Sequence, residues 1–182
     1  MQEEPLPLRM TIQAVAFAAG KHRHQRRKDA DASPYINHPI ALAEVLSVEA
    51  NISDTTVLCA ALLHDTLEDT ETTVDELRDL FGDAVTAIVV AVSDDKSLPK
   101  ETRKALQIAH AAALSHPAKL VKLADKICNL RDLLNAPPAD WTAERKLAYF
   151  QWAEAVVAGL RGTHAGLEAI LDDLLARADR LR

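Results

Sequence analysis

ALLHDTLEDT, Ala61 to Thr70, is where an uncharged apolar run meets four ionisable groups. The run extends from Val57 to Leu63 and delivers His64, Asp65, Glu68 and Asp69 directly behind it. Ser53 or Asp54 can cap a helix that carries it. On a helix, residues four apart share a face, so His64 goes with Glu68 and Asp65 with Asp69. Three acids in five positions repel one another. Burying an unpaired charge costs on the order of several kcal/mol. A divalent cation at the end of this helix removes the difficulty. The alternative is an exposed helix end with solvated acids, and the apolar run argues against it by planting the segment in a core.

Working outward, helical spacing continues on both sides. Leu8, Ile12, Val15 and Ala19 predict a first helix to about His24. QRRKDADASPYIN follows as a loop, and Pro39 suits the first turn of a second helix that fades near Asn51. His38 therefore stands at a helix entrance. Thr73-Val-Asp-Glu76 is a capping-box pattern opening a helix that continues through FGDAVTAIVVAVS to Ser93. After the loop DDKSLPK come a helix from about Glu101 to Ser115 and one opened by Pro117 and stopped by Pro137-Pro138. Leu147, Phe150, Ala153, Val157 and Leu160 mark a further helix, and Leu167, Ile170, Leu171, Leu174 and Leu175 the last. No strand-like alternation competes. The expectation is an all-α fold, a single compact bundle of about eight helices over residues 1–182 with its core at about 8–175.

Composition agrees. The 182 residues are long enough for a real core, and 48% are hydrophobic, which excludes disorder. A net charge of −6 provides no overall positive field for a nucleic acid. Cys59 and Cys128 lie in apolar helical contexts and read as reduced core residues of an intracellular protein. No signal-like or membrane-length apolar run occurs, so the expectation is a soluble cytoplasmic protein with no membrane partner. The sequence leaves the oligomeric state open.

A metal needs more ligands than one adjacent pair. Asp125, in KLADKICNL, lies on an apolar helix with Asn129 one turn on. Alone it reads as a paired structural residue, and a lone His38 reads as a capping or hydrogen-bonding group. Together with His64 and Asp65 they supply two imidazoles and two carboxylates, which balance a dication and leave positions for water and substrate. Nitrogen and oxygen donors without thiolate favour Mn²⁺, Fe²⁺, Mg²⁺ or Zn²⁺ in a catalytic setting. Glu68 and Asp69 then act beside the ligands, one on the water and one on the leaving group. Adjacent carboxylates push their pKa values apart, which suits such a division.

KHRHQRRK, Lys21 to Lys28, holds five cations and two histidines in an acidic chain. Composition leaves two readings open: a solvated helix end complementing the dipole, or a positive site for a phosphate-rich substrate. Lys100 and the pair Arg145 and Tyr149, one turn apart, are further basic and hydroxyl candidates that could equally be ordinary surface. His110, His116 and His164 lack acidic partners at metal spacing and receive no role.

The HD pair at His64-Asp65, the earlier histidine in PYINHP and the later LADK aspartate resemble the HD metal-dependent phosphohydrolase superfamily. FAAGKHRHQRRKDADASPYINHPIALAEVL, AALLHDTLEDT, FGDAV, VKLADKICNLRDL and YFQWAEAVVAGL are similar to the hydrolase domain of RelA/SpoT alarmone enzymes, above all to the stand-alone small alarmone hydrolases of the metazoan SpoT-homologue type. The resemblance implies an all-helical bundle holding one Mn²⁺ through His38, His64, Asp65 and Asp125. It implies catalytic carboxylates at Glu68 and Asp69 and a site asparagine at Asn129. It places Arg27 and Lys28 at a nucleotide pocket, and Lys100, Arg145 and Tyr149 on the phosphate side. The implied activity is hydrolysis of (p)ppGpp at the 3′-pyrophosphate, giving GDP or GTP and pyrophosphate. Alternatives are an NADPH 2′-phosphatase, a general nucleotide phosphohydrolase, and a non-catalytic alarmone-binding module.

Overall fold

The computed structural model describes residues 7–178. Among them are eight α-helices of eight residues or more and one single turn: α1 (Pro7–Lys21), α2 (Asn37–Glu44), α3 (Thr55–Leu63), the single turn α4 (Thr66–Asp69), α5 (Val74–Val92), α6 (Lys100–His110), α7 (His116–Asn135), α8 (Ala143–Ala158) and α9 (Ala165–Ala176). No β-strand occurs among the described residues; one isolated bridge, Arg26 to Pro34, pins the base of the loop after α1. No described helix is long and apolar enough to cross a membrane.

The helix starts follow their caps. The Asp54 carboxylate accepts the Thr56 N–H at 2.8 Å, and Thr73 Oγ1 accepts the Glu76 N–H at 3.1 Å. Ser115 and Thr142 do the same for α7 and α8, and His164, given no role from the sequence, caps α9 by accepting the Leu167 N–H at its Nδ1. Glu76 does not complete its capping box. Its carboxylate goes to Lys21 Nζ at 3.0 Å, tying α5 to the end of α1.

Several boundaries differ from the periodicity. α1 ends at Lys21, and residues 22–24 form a turn. α2 runs into a π-helical turn, Val45–Glu49, before the chain leaves it. α5 is kinked at Gly82, whose φ of 79° lies in the left-handed region that glycine adopts without Cβ strain. A short 3₁₀ turn, Ala111–Ala113, follows α6 where the sequence suggested continuous helix.

α3 is apolar around most of its circumference and stands in the middle, packed against α1, α2, α5 and α7. α7 packs in turn against α2, α5, α8 and α9. Leu62, Leu63, Leu77, Leu123, Ile127 and Leu130 meet in this core with at most 2% exposure. Each such side chain contributes roughly 1.5–3 kcal/mol on burial. Cys59 and Cys128 are free thiols within it. α6 buries no residue completely and lies against α8, held by the Trp152 indole N–H on the Lys104 carbonyl at 3.1 Å. The space between α6, α8 and the core is where the polar residues gather.

Candidate functional site

α3 stops at Leu63, and His64 and Asp65 occupy a break before α4. The single continuous helix face expected from the sequence is therefore interrupted. Asp65 has φ −96° and ψ −2°, the bridge region between helix and strand. His64 and Glu68 consequently turn to different partners. His64 Nδ1 donates to the Ala61 carbonyl at 2.8 Å, which fixes the tautomer and leaves Nε2 facing inward. Nε2 lies 2.9 Å from Asp65 Oδ2 and 4.0 Å from Asp125 Oδ1. It is buried, and neither carboxylate lies in the direction of a proper hydrogen bond, so it stays orphaned. His38 comes from the first turn of α2, with its Nε2 3.3 Å from Asp125 Oδ1. Ligand atoms of His38, His64 and Asp65 lie within 4.8 Å of one another.

The four residues proposed from the sequence thus converge, from α2, the α3–α4 break and α7. Two imidazoles, two carboxylates and an orphaned buried ring nitrogen form a donor set that fits a divalent cation. Burial alone would raise the two carboxyl pKa values. The His64 and His38 imidazoles around Asp65, and the Lys126 ammonium with His38 around Asp125, instead hold both carboxyls well below the usual range.

α7 presents Lys122, Asp125, Lys126 and Asn129 along one face, a spacing of three and four residues. Asn129 Nδ2 donates to Asp125 Oδ1 at 2.7 Å and orients it. Lys126 is 2% exposed, donates to Asp125 Oδ2 at 3.1 Å and sits 4.3 Å above the Trp152 ring. Burial would lower its pKa, and Asp125 more than reverses that.

Glu68 and Asp69 lie next to the ligands but are held differently. Glu68 Oε2 accepts the Asp94 N–H at 3.1 Å, and Oε1 is 3.5 Å from Arg103. Burial and then neighbouring carboxylates raise the Glu68 pKa, against the pull of that N–H. Asp69 pairs with Lys96 from the loop before α6. The Tyr35 hydroxyl donates to Asp65 Oδ2 at 2.5 Å and approaches Asp69 Oδ2 at 3.2 Å, bridging a proposed ligand and a proposed catalytic carboxylate. Burial and the two acids hold the phenol far above its ordinary pKa, so it remains a donor.

These groups line a cavity of about 210 Å³ that also includes Asn129, Lys122, Lys126, Tyr149 and Trp152. Through Asp94, Gln107, Tyr149 and Trp152 it meets a groove of about 660 Å³ between α6 and α8. Lys28, Lys100, Arg145 and Tyr149 all line that groove, together with Arg103, Lys104 and the indoles of Trp141 and Trp152. Arg145 stacks 4.3 Å over Trp141. Burial, followed by nearby acids, pushes the Tyr149 phenol up to about 12, with Lys126 opposing. Arg27 is not in the groove. It pairs with Asp132 and lies 5.7 Å over Tyr35, in a separate recess of about 210 Å³ beside His38.

KHRHQRRK divides accordingly. Lys21 serves α5, Arg26 binds backbone carbonyls, His22 is buried against Tyr35, Gln25 donates to the Asp69 carbonyl at 2.5 Å, and the cations Arg27 and Lys28 line recesses beside the site. Sequence reasoning missed Tyr35, Lys96, Arg103, Lys122 and Lys126. The spacing of Lys122 and Lys126 with Asp125 was a readable signal; Lys96 and Arg103 gave none beyond ordinary loop and helix cations.

Residues 14–151 match the model of the HD domain family. The MESH1 guanosine-3′,5′-bis(diphosphate) 3′-pyrophosphohydrolase of Danio rerio is 56% identical over 163 residues, covering 90% of this chain and 91% of its own. The Homo sapiens protein of the same name is 55% identical with the same coverage. The solved structure of a metazoan SpoT ortholog that hydrolyses ppGpp superposes with a TM-score of 0.90 at 51% identity, over 92% of this chain and 94% of that one.

Proposed function

The chain belongs to the HD domain family, and from that premise we propose that it hydrolyses guanosine 3′,5′-bis(diphosphate), and its pentaphosphate relative, at the 3′-pyrophosphate. The observation that carries the reading is the cavity lined by His64, Asp65, Asp125, Glu68 and Asp69, with His38 Nε2 3.3 Å from Asp125 Oδ1, opening onto a cation-lined groove. The activity for which relatives more than half identical are named supports it.

His38, His64, Asp65 and Asp125 would hold one divalent ion, Mn²⁺ by preference, which when bound supplies Lewis-acid stabilisation of the phosphoryl oxygens and acidifies water. The reaction forms a bond from water oxygen to the phosphorus next to ribose O3′ and breaks the P–O3′ bond. The ribose leaves as a 3′-hydroxyl, and the diphosphate departs as pyrophosphate. Glu68 and Asp69 handle the two protons, one taken from water and one given to O3′. Tyr35 keeps Asp65 and Asp69 at a fixed separation, and Lys126 and Asn129 orient Asp125. The ammonium and guanidinium groups of Lys28, Lys100 and Arg145 receive the remaining phosphates from the groove side, with Tyr149 at its inner end.

The volume of that groove and its two indoles favour a second reading, a 2′-phosphatase acting on NADPH, because the dihydronicotinamide half has indole faces to lie against. A side-by-side assay with Mn²⁺ separates the readings. Pyrophosphate released from guanosine tetraphosphate, with far less product from NADPH and a plain deoxynucleoside triphosphate, supports the first. Orthophosphate from NADPH at equal or higher kcat/KM favours the second. Turnover of none of the three, with metal bound, refutes both and leaves an alarmone-binding module. Glu68→Ala then discriminates further: a hydrolase loses turnover while keeping its metal.

A further inference from the structure

The reacting face of α7 carries two lysines, and only one of them is spoken for. Lys126 is sequestered: it binds Asp125, reaches Gln107 Oε1 at 3.4 Å and is capped by the Trp152 ring. Lys122 stands one turn earlier on the same face. It makes no ion pair or hydrogen bond with any other described residue. Its side chain is half-buried and lines the cavity that holds His64, Asp65, Glu68 and Asp125. It also lines a second chamber of about 230 Å³ behind that cavity, between α5, α6 and α7. An ammonium placed between two cavities with no carboxylate in direct ion-pair contact is costly unless an anion arrives. Burial and the neighbouring Lys126 charge depress its pKa, against the pull of the Asp125, Asp94 and Asp65 carboxylates.

We propose that Lys122 binds the outer phosphoryl group of the substrate's 3′-diphosphate, and then the pyrophosphate product, at the inner wall of the cavity. The assignment rests on the hydrolase reading above. That reading already gives the phosphorus under attack to the metal ligands and the 5′-phosphates to the groove cations. The outer 3′ phosphoryl group is the remaining charge, and Lys122 is the cavity cation still free among the described residues. The site selects a diphosphate anion over a monophosphate, because a single phosphoryl group bound at the metal ligands leaves Lys122 without a partner.

The test is a calorimetric titration of metal-loaded wild type, Lys122→Met and Lys122→Arg with inorganic pyrophosphate and, separately, with GDP, the metal content being read after each run. The assignment predicts pyrophosphate binding weakened by about 10- to 100-fold in Lys122→Met, the scale of one lost charge-assisted hydrogen bond. GDP affinity stays within about twofold of wild type, and Lys122→Arg recovers part of the loss. Loss of both ligands alike, or of neither, overturns it. A fall in kcat/KM that is larger for the 3′-diphosphate than for the 3′-monophosphate analogue completes the expected pattern. If wild type fails to hydrolyse the tetraphosphate, the hydrolase reading falls by itself, and the pyrophosphate titration still decides whether Lys122 binds a diphosphate.

Discussion

Replacing Tyr35 by Phe removes one oxygen at the junction of the proposed metal site and the proposed proton-handling pair. The hydroxyl donates to Asp65 Oδ2 at 2.5 Å and lies 3.2 Å from Asp69 Oδ2. A hydrogen bond to a charged group contributes about 1.5–3 kcal/mol, which corresponds to roughly 10- to 150-fold in an equilibrium or rate constant. Partners of metal ligands typically carry 10- to 100-fold effects on affinity or activity, so a loss of about 10- to 100-fold is expected here. The ring itself stays. It keeps its contact with His22 at 4.8 Å between centroids and its place 5.7 Å under Arg27. Stability should therefore fall by only about 1 kcal/mol, or roughly 2–4 °C in Tm for a chain of this size. Metal titration and steady-state kinetics, run together, separate two outcomes. If the bond to Asp65 matters most, Mn²⁺ affinity falls and saturating metal restores turnover. If the bridge to Asp69 matters most, metal affinity holds and kcat stays low. Metal affinity and kcat both within about twofold of wild type would refute the bridging role assigned to the hydroxyl.

Three further outcomes are expected. A Cβ at Gly159 would lie 2.7 Å from Ala111 Cβ and 3.0 Å from the Ala112 nitrogen, where the end of α8 meets the turn after α6, so Gly159→Ala should cost about 1–3 kcal/mol in urea denaturation. The Arg131 guanidinium, bonded at 2.6 and 2.8 Å, holds the Glu49 carboxyl below its ordinary 4.5 against partial burial. The pair's contribution is therefore present above pH 4.5 and lost as pH falls through the lower folded value. Glu49→Gln should cost about 0.5 kcal/mol at neutral pH, with the difference from wild type shrinking in acid; an equal difference at all pH values counts against the pair. Chelation of a bound divalent ion should lower Tm and readdition of Mn²⁺ restore it, by an amount approaching 2.7 kcal/mol at about 100-fold over the dissociation constant; a Tm indifferent to chelator and metal argues against His38, His64, Asp65 and Asp125 as a metal site.

What the sequence made legible was local. Asp54 and Thr73 cap helices where side-chain chemistry places them, because an N-cap bond closes within three residues; Ser115, read as the end of a helix, and Thr142 turn out to cap α7 and α8 in the same way. The meeting of His64, Asp65 and Asp125 could be expected because these groups sit in apolar helical patterns, where buried charge needs a common solution; His38, at a helix entrance, joined them only as a further nitrogen donor. Geometry that depends on distant packing was not readable. The break at His64-Asp65 brings His64 Nε2 to 4.0 Å from Asp125, 61 positions away (125 − 64), a distance no local pattern encodes. The kink at Gly82 replaces an apparently unbroken periodicity, since a lone glycine inside a helical pattern signals cost rather than direction. Lys96 and Asp69 belong to a loop and a helical turn 27 residues apart, and nothing in DDKSLPK distinguishes Lys96 from a solvated cation until α6 packs beside α8.

The two lysines of α7 mark where the boundary between the two kinds of information falls. Their spacing with Asp125 and Asn129 assigns all four residues to one face from sequence alone. Which lysine is neutralised by the fold and which is left for a ligand depends on α6 and α8: Gln107 and Trp152 close over Lys126 and leave Lys122 facing the cavity. Two residues of the same type, one turn apart on one helix, therefore differ in function because of what the neighbouring helices place over them. The periodicity of α7 contains only the first half of that determination.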